Sequence, residues 1–292
     1  MHTWAPILLA ISAAVLIAVG TVLRQRASAA NGTITRGWTL GAVIALSGFV
    51  LQAAALGLGS ILVVQPLVVL AVLFALPMEA WIDKRRLRRA EWMWGLVLVG
   101  CVVGFLVVAR PVSTDRRPDM LVMVVTVTIL VVGLIAVVAN AERCRSAHFR
   151  ALSYGIAAGA LFGVSALLIK AVALRAFYDP VSLLTHAEVY LLIVVVILAI
   201  VAQQRGFGAG DLQTSFPAMN VMEPTVAMIL GIALLGETVY VGAPSAVTLG
   251  VVAVIAATAV VWFAQEAATP ETHNQALVEE PVELVPPVGG AG

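Results

Sequence analysis

Along most of this chain the polar positions do not recur at helical or strand spacing. They are pushed to the ends of long apolar runs, as in "PILLAISAAVLIAVGTVL" and "MLVMVVTVTILVVGLIAVV". A helix that is hydrophobic all round is either deeply buried or membrane-embedded. Crossing a hydrocarbon core of about 30 Å takes about 20 such residues. Nine runs reach that length, roughly 4–23, 38–58, 60–82, 92–109, 119–139, 151–175, 183–204, 212–236 and 246–264. The first lacks the basic flank of a signal peptide and is too long for its apolar segment, so it reads as a spanning helix. The second and third are separated only by "GLGS", which predicts an antiparallel hairpin. The pattern therefore predicts an all-α polytopic membrane protein. Residues 265–292 carry several prolines and glutamates without a basic residue, a composition that predicts a disordered tail.

Two spans break the pattern. In "VMEPTVAMILGIALLGE" (221–237), Glu223 and Pro224 interrupt an apolar run, and "VVQPLVVLAVLFALPME" (63–79) nearly repeats the arrangement. A shift of 158 residues lays Pro66 on Pro224, Glu79 on Glu237 and Gln65 on Glu223. A shift of 151 instead lays Gln52 on Gln203 and Pro66 on Pro217. The two registers differ by about two helical turns and keep the same helix face. Both imply two four-helix repeats joined by a linking helix: 1–118, then 119–150, then 151–264, with the tail from 265. The proline-bearing spans of the two copies run in opposite directions, so the repeats are inverted. Inverted repeats with interrupted helices at equivalent positions are a pattern of secondary transporters.

Composition supports the membrane reading: 61% of the 292 residues are hydrophobic and 11% charged, against about 25% charged in a soluble domain. A net charge of +1 gives no electrostatic reason to expect nucleic acid. The lipid bilayer and a small-molecule or ion substrate are the expected partners, with a homodimer allowed. Arginine and lysine set the orientation. Arg24, Arg26, Arg36, the run "DKRRLRR", Arg143, Arg145, Arg150 and Arg205 fall on one side, against Arg110, Arg116, Arg117 and Arg175 on the other. The richer side is cytoplasmic, which places the N-terminus outside, the C-terminus inside and the chain in a plasma or inner membrane.

The candidate chemistry is sparse. A carboxylate in mid-membrane costs at least about 3 kcal/mol on insertion scales and usually faces a cavity or a partner. Glu223 is such a group, able to carry its proton in one state and lose it in another. Its bland alternative is a structural carboxylate, paired with Lys170 or protonated and hydrogen-bonded. Pro224 has no N–H, so the carbonyl of Asn220 loses its helical bond and becomes available; Pro217 and Pro66 do the same for Gln213 and Leu62. Lys170 either snorkels to headgroups or faces the cavity as the counter-charge of Glu223 or of an anionic substrate. Gln65, Gln52 and Gln203 complete the substrate candidates, the last two with headgroup contact as the plain alternative. Glu79 and Glu237 read as caps or anchors of short connections, and His186 and Glu188 as interface residues. The small-residue run "YGIAAGALFG" permits close helix approach. HExxH, a P-loop and GxSxG are absent, so neither an enzyme nor a cofactor is expected, and no spacing marks a resident metal. Cys101 and Cys144 stand in an apolar run and a basic loop, with no CxxC between them.

"EPTVAMILGIALLGE" and "QPLVVLAVLFALPME" resemble the paired proline helices, with a terminal "GE", of the EamA-like drug/metabolite transporter superfamily. "VVQPLVVLAVLF…GLVLVGCVVGFLVVARP" is most similar to the NIPA-like branch of that superfamily. The resemblance implies a transporter of a small polar or charged metabolite working by alternating access. The branch implies magnesium as the alternative cargo. A membrane scaffold that moves nothing is the third reading.

Overall fold

A computed structural model describes residues 4–29, 36–82, 84, 86–112, 119–144, 146–178, 187–208, 212–239 and 243–268. Of the tail expected to be disordered (265–292), residues 265–268 are instead helical and the rest lies outside the described residues, as do His186, Arg116, Arg117 and Arg145 and the side chains of Arg24, Arg26 and Glu79.

The described chain is helical throughout: α1 (Trp4–Ala29), α2 (Arg36–Leu58), α3 (Ile61–Val69), α4 (Ala71–Ile82), α5 (Arg89–Ala109), α6 (Met120–Glu142), α7 (Ala147–Tyr178), α8 (Ala187–Gly208), α9 (Leu212–Leu235) and α10 (Ala243–Ala268). Hydrocarbon offers the backbone no hydrogen-bonding partner, so a spanning segment must satisfy its own amides, and helices do so. Among the described residues, eight spans are long and apolar enough to cross a membrane, and α10 adds the shorter apolar stretch Val247–Trp262. The chain is a multi-pass membrane protein.

Burial sorts the helices. In α7, 67% of the most apolar window is buried, whereas in α6 the share is 11%. Helix α7 is the centre of the bundle, and α6 lies on its edge with Leu121, Ile129, Val132 and Ile135 facing outward. Such residues are at home against acyl chains.

Between helices in lipid, close approach replaces the hydrophobic effect as the source of packing energy, and small residues permit it. Gly155, Gly159 and Gly163 rise along one face of α7. A Cβ at Gly155 would strike the Ser215 carbonyl and one at Gly159 the Met219 carbonyl, while one at Gly163 would lie 2.6 Å from the Glu223 carbonyl. The two backbones are in contact over two helical turns. Residue numbers climb together, so α7 and α9 run parallel. The "YGIAAGALFG" run is thus the seat of α9. In the α1–α2 pair, Gly20 meets Gly41 and Ala45 while Gly48 meets Ile17 and Ala13, an antiparallel hairpin. Helix α3 packs on α9 and α5 on α10. In the second of these pairs Trp94 stacks on Trp262 with centroids 6.0 Å apart.

The proline helices depart from expectation. Helix α9 continues unbroken through both Pro217 and Pro224. Its contact with the glycine face of α7 holds the turns that the prolines weaken, and the Thr225 hydroxyl donates to the Val221 carbonyl at 2.7 Å beside the missing Pro224 bond. The third span instead divides into α3 and α4 at Leu70, whose N–H donates to the Leu67 carbonyl at 3.1 Å. Pro66 lies inside α3 and Pro77 inside α4, so the division falls at neither.

Candidate functional site

Two acidic groups on one stretch of chain define the interior, and their surroundings differ completely. The first is Glu237. Helix α9 ends at Leu235, and Gly236 follows at φ 66°, a left-handed conformation that glycine adopts without a steric penalty. The chain then folds back, and the Glu237 N–H donates to the Gly231 carbonyl at 3.1 Å. This turn lays the Glu237 carboxylate beside Gly231, where an added Cβ would lie 3.2 Å from Oε2 and 3.4 Å from the Ile61 side chain. Helix α3 starts at this spot.

The first N–H groups of a helix have no partner within it and carry the positive end of its dipole. Those of α3 meet Glu237. The Ile61 N–H donates to Oε1 at 2.9 Å and the Leu62 N–H to Oε2 at 3.2 Å. The N-cap Ser60 hydroxyl donates to Oε2 at 2.7 Å and accepts from the Leu62 N–H at 3.0 Å. Lys170 Nζ completes the group, donating to Glu237 Oε1 and, at 2.8 Å, to the Gly59 carbonyl. A carboxylate offers about four acceptor sites, and here each is used. The side chains of Lys170 and Glu237 are 3% and 0% exposed. A buried ion pair holds its place only when the lone pairs left over are also satisfied, and this one meets that condition. Just beyond it, the Val112 N–H donates to the Thr238 carbonyl at 3.0 Å.

Lys170 therefore does not face Glu223 and does not snorkel. The helix register explains why. Gly163 is level with Glu223, and Lys170 is seven residues further along α7, about 10 Å along the axis. That height matches the last turns of α9, beside which Glu237 folds back. The glycine–glutamate pair at 236–237 carried this signal in sequence, but it does not name a partner 67 residues away.

The second acid is Glu223. It is half-buried, and among the described residues no side chain hydrogen-bonds or pairs with its carboxylate. Its own carbonyl abuts Gly163, so its backbone is fixed against α7. Helix α3 begins at the last turns of α9 and runs back along it, which brings Gln65 about one helical turn from the height of Glu223. Gln65 is 1% exposed, and its Nε2 has no partner among the described residues. Gln52 Oε1 and Ser215 Oγ are likewise buried without one. Buried polar atoms in folded proteins are nearly always satisfied, and exceptions often mark a place for water or ligand. Asn220 lies one turn before Glu223 and is half-buried. Gln203 Nε2 contacts Met219 Sδ at 3.2 Å, which places it on the α8–α9 seam. Glu188 pairs with Arg175 at 2.9 Å across the α7–α8 connection. Among the described residues no group of three or more His, Cys, Asp or Glu is placed to hold a metal.

The chain is 36% identical over 247 residues to an uncharacterized protein of Corynebacterium glutamicum, an alignment covering 79% of this chain and 84% of that one. No family model and no solved structure matches. The chain belongs to the same family as the Corynebacterium protein.

Proposed function

We propose that this member of that family is a secondary transporter in which Glu223 is the substrate or coupling group. The observation that carries the reading is a carboxylate in the middle of a membrane helix, on a half-buried residue and with no partner among the described residues. Such a group is expensive in a span and is retained where it lines a pathway. Gln65, Gln52 and Ser215 add buried polar atoms that no described residue matches. In this reading the halves 1–118 and 151–264 are inverted copies, with α3–α4 the counterpart of α9 and α5 of α10. The packing of α3 on α9 and α5 on α10 supports it, because elements next to a twofold axis pack on their own counterparts. Alternating access is then a rocking of one copy against the other around Glu223. The resemblance to drug/metabolite transporters points the same way, toward a small polar or charged metabolite.

One observation favours a second reading, cation movement. Lys170 is neutralised by Glu237, so it does not oppose a positive cargo, and among the described residues Glu223 has no counter-charge. Hydrated magnesium, which keeps several waters and is held through one or two carboxylates, is compatible with a single acid.

Both readings are tested in proteoliposomes. A panel of magnesium, amino acids, nucleosides and sugar phosphates is added to vesicles carrying an entrapped pH-sensitive or magnesium-sensitive dye. The wild-type chain is expected to collapse a proton gradient, or admit magnesium, with at least one of them, and Glu223→Gln is expected to abolish that signal while inserting normally. An undiminished signal from Glu223→Gln refutes the assignment.

A further inference from the structure

We infer that α3 is a gate helix, latched at its N-terminus by the Glu237–Lys170 pair and hinged at Leu70. The inference rests on the alternating-access reading and assigns that motion to particular residues. Helix α3 is a short rigid piece: nine residues, Ile61–Val69, with the helical hydrogen-bond pattern interrupted at Leu70. Its far end is held by Glu237 and Lys170, both from the other half of the chain. Gly59 precedes the latch on one side and Gly236, at φ 66°, on the other.

The division of partners makes the latch reversible. Lys170 and Glu237 belong to the same half, on α7 and just after α9. If α3 swings away, the lysine and the carboxylate keep each other, and no charge is orphaned. Ser60 keeps its bond to the Leu62 N–H, so α3 keeps its own cap. What separates is a set of hydrogen bonds from Ile61, Leu62 and Ser60 to the carboxylate and from Lys170 to Gly59, each of which water can replace. A clasp built only to bind the halves permanently would gain by splitting the ion pair between them; this one keeps it on one side. Helix α3 itself carries Gln65, whose Nε2 no described residue matches, about one turn from the level of Glu223, so displacement of this helix would open that region to the end of the bundle where α9 finishes.

The test uses the full chain in membranes with its two cysteines, Cys101 and Cys144, replaced. One reporter, Val64→Cys, is buried on α3 behind the latch, and another, Ser215→Cys, is buried at the opposite end of α9. Each is exposed to a soluble maleimide with and without Glu237→Gln. Release of the latch is expected to raise modification at position 64 about tenfold and to lower it at 215, the signature of a shift between two states. Ser60→Ala, a milder change, should move both in the same directions by about threefold. Unchanged labelling at 64 overturns the gate. So does a rise at both positions, which is what general loosening of the fold would give. Labelling needs no cargo: a chain that transports nothing yet shows the reciprocal shift keeps the gate and removes the transport reading. A chain that transports while both variants leave the reporters unmoved does the reverse.

Discussion

Glu237 and Glu223 are separated by about four helical turns on a single stretch of chain. Glu237 accepts a hydroxyl, two backbone amides and an ammonium group, and its side chain is wholly buried. Glu223 accepts from none of the described side chains and keeps accessible surface. An acid with every acceptor site filled is part of the scaffold, because any ligand would have to displace a better-placed protein group. An acid with none filled contributes nothing to the scaffold that would explain its presence. The difference separates the residue that ties α3 to α7 and to the end of α9 from the one we propose for cargo.

Three substitutions would break or sharpen this contrast. The largest effect is expected from Lys170→Met, which leaves the Glu237 carboxylate buried without its counter-ion. Removing one partner of a buried pair costs about 3–5 kcal/mol, and the loss should appear as a lower midpoint of thermal unfolding in detergent. If the midpoint holds, the pair contributes little and the scaffold role of Glu237 fails. Ser60→Ala should cost about 1 kcal/mol by the same measurement, since it removes an N-cap and one of the four bonds to the carboxylate. The smallest change belongs to Glu223→Gln, expected to stay within about 0.5 kcal/mol of wild type because no partner is lost. A drop as large as that of Lys170→Met would place Glu223 in the scaffold after all.

The spans were legible in sequence because lipid enforces them directly: long apolar runs must be helices, and their ends fall where polar residues resume. The glycine face of α7 was legible for a similar reason, since the spacing of Gly155, Gly159 and Gly163 is that of a helix face. The behaviour of the prolines was not. A proline removes one hydrogen bond, but whether the helix gives way depends on what lies against it, and α9 has the glycine face of α7 to hold it where α3–α4 divides at Leu70. The partner of Lys170 was hidden for a different reason. Glu223 had the more suggestive position in the chain, but pairing depends on the relative height of two parallel helices and on a left-handed turn at Gly236. Neither can be read from one sequence. The proposed inverted relation of the halves draws from the sequence on the Pro66–Pro224 and Glu79–Glu237 matches.

The three glycines of α7 carry one more implication. With no side chain between them, its backbone and that of α9 form a wall with no slack. Glu223 is fastened to that wall through its own carbonyl. In the proposed alternating-access cycle, the acid therefore stays still and α3, packed against α9, travels. A library built to probe the proposed cargo should spare positions 155, 159 and 163, and place its diversity on α3.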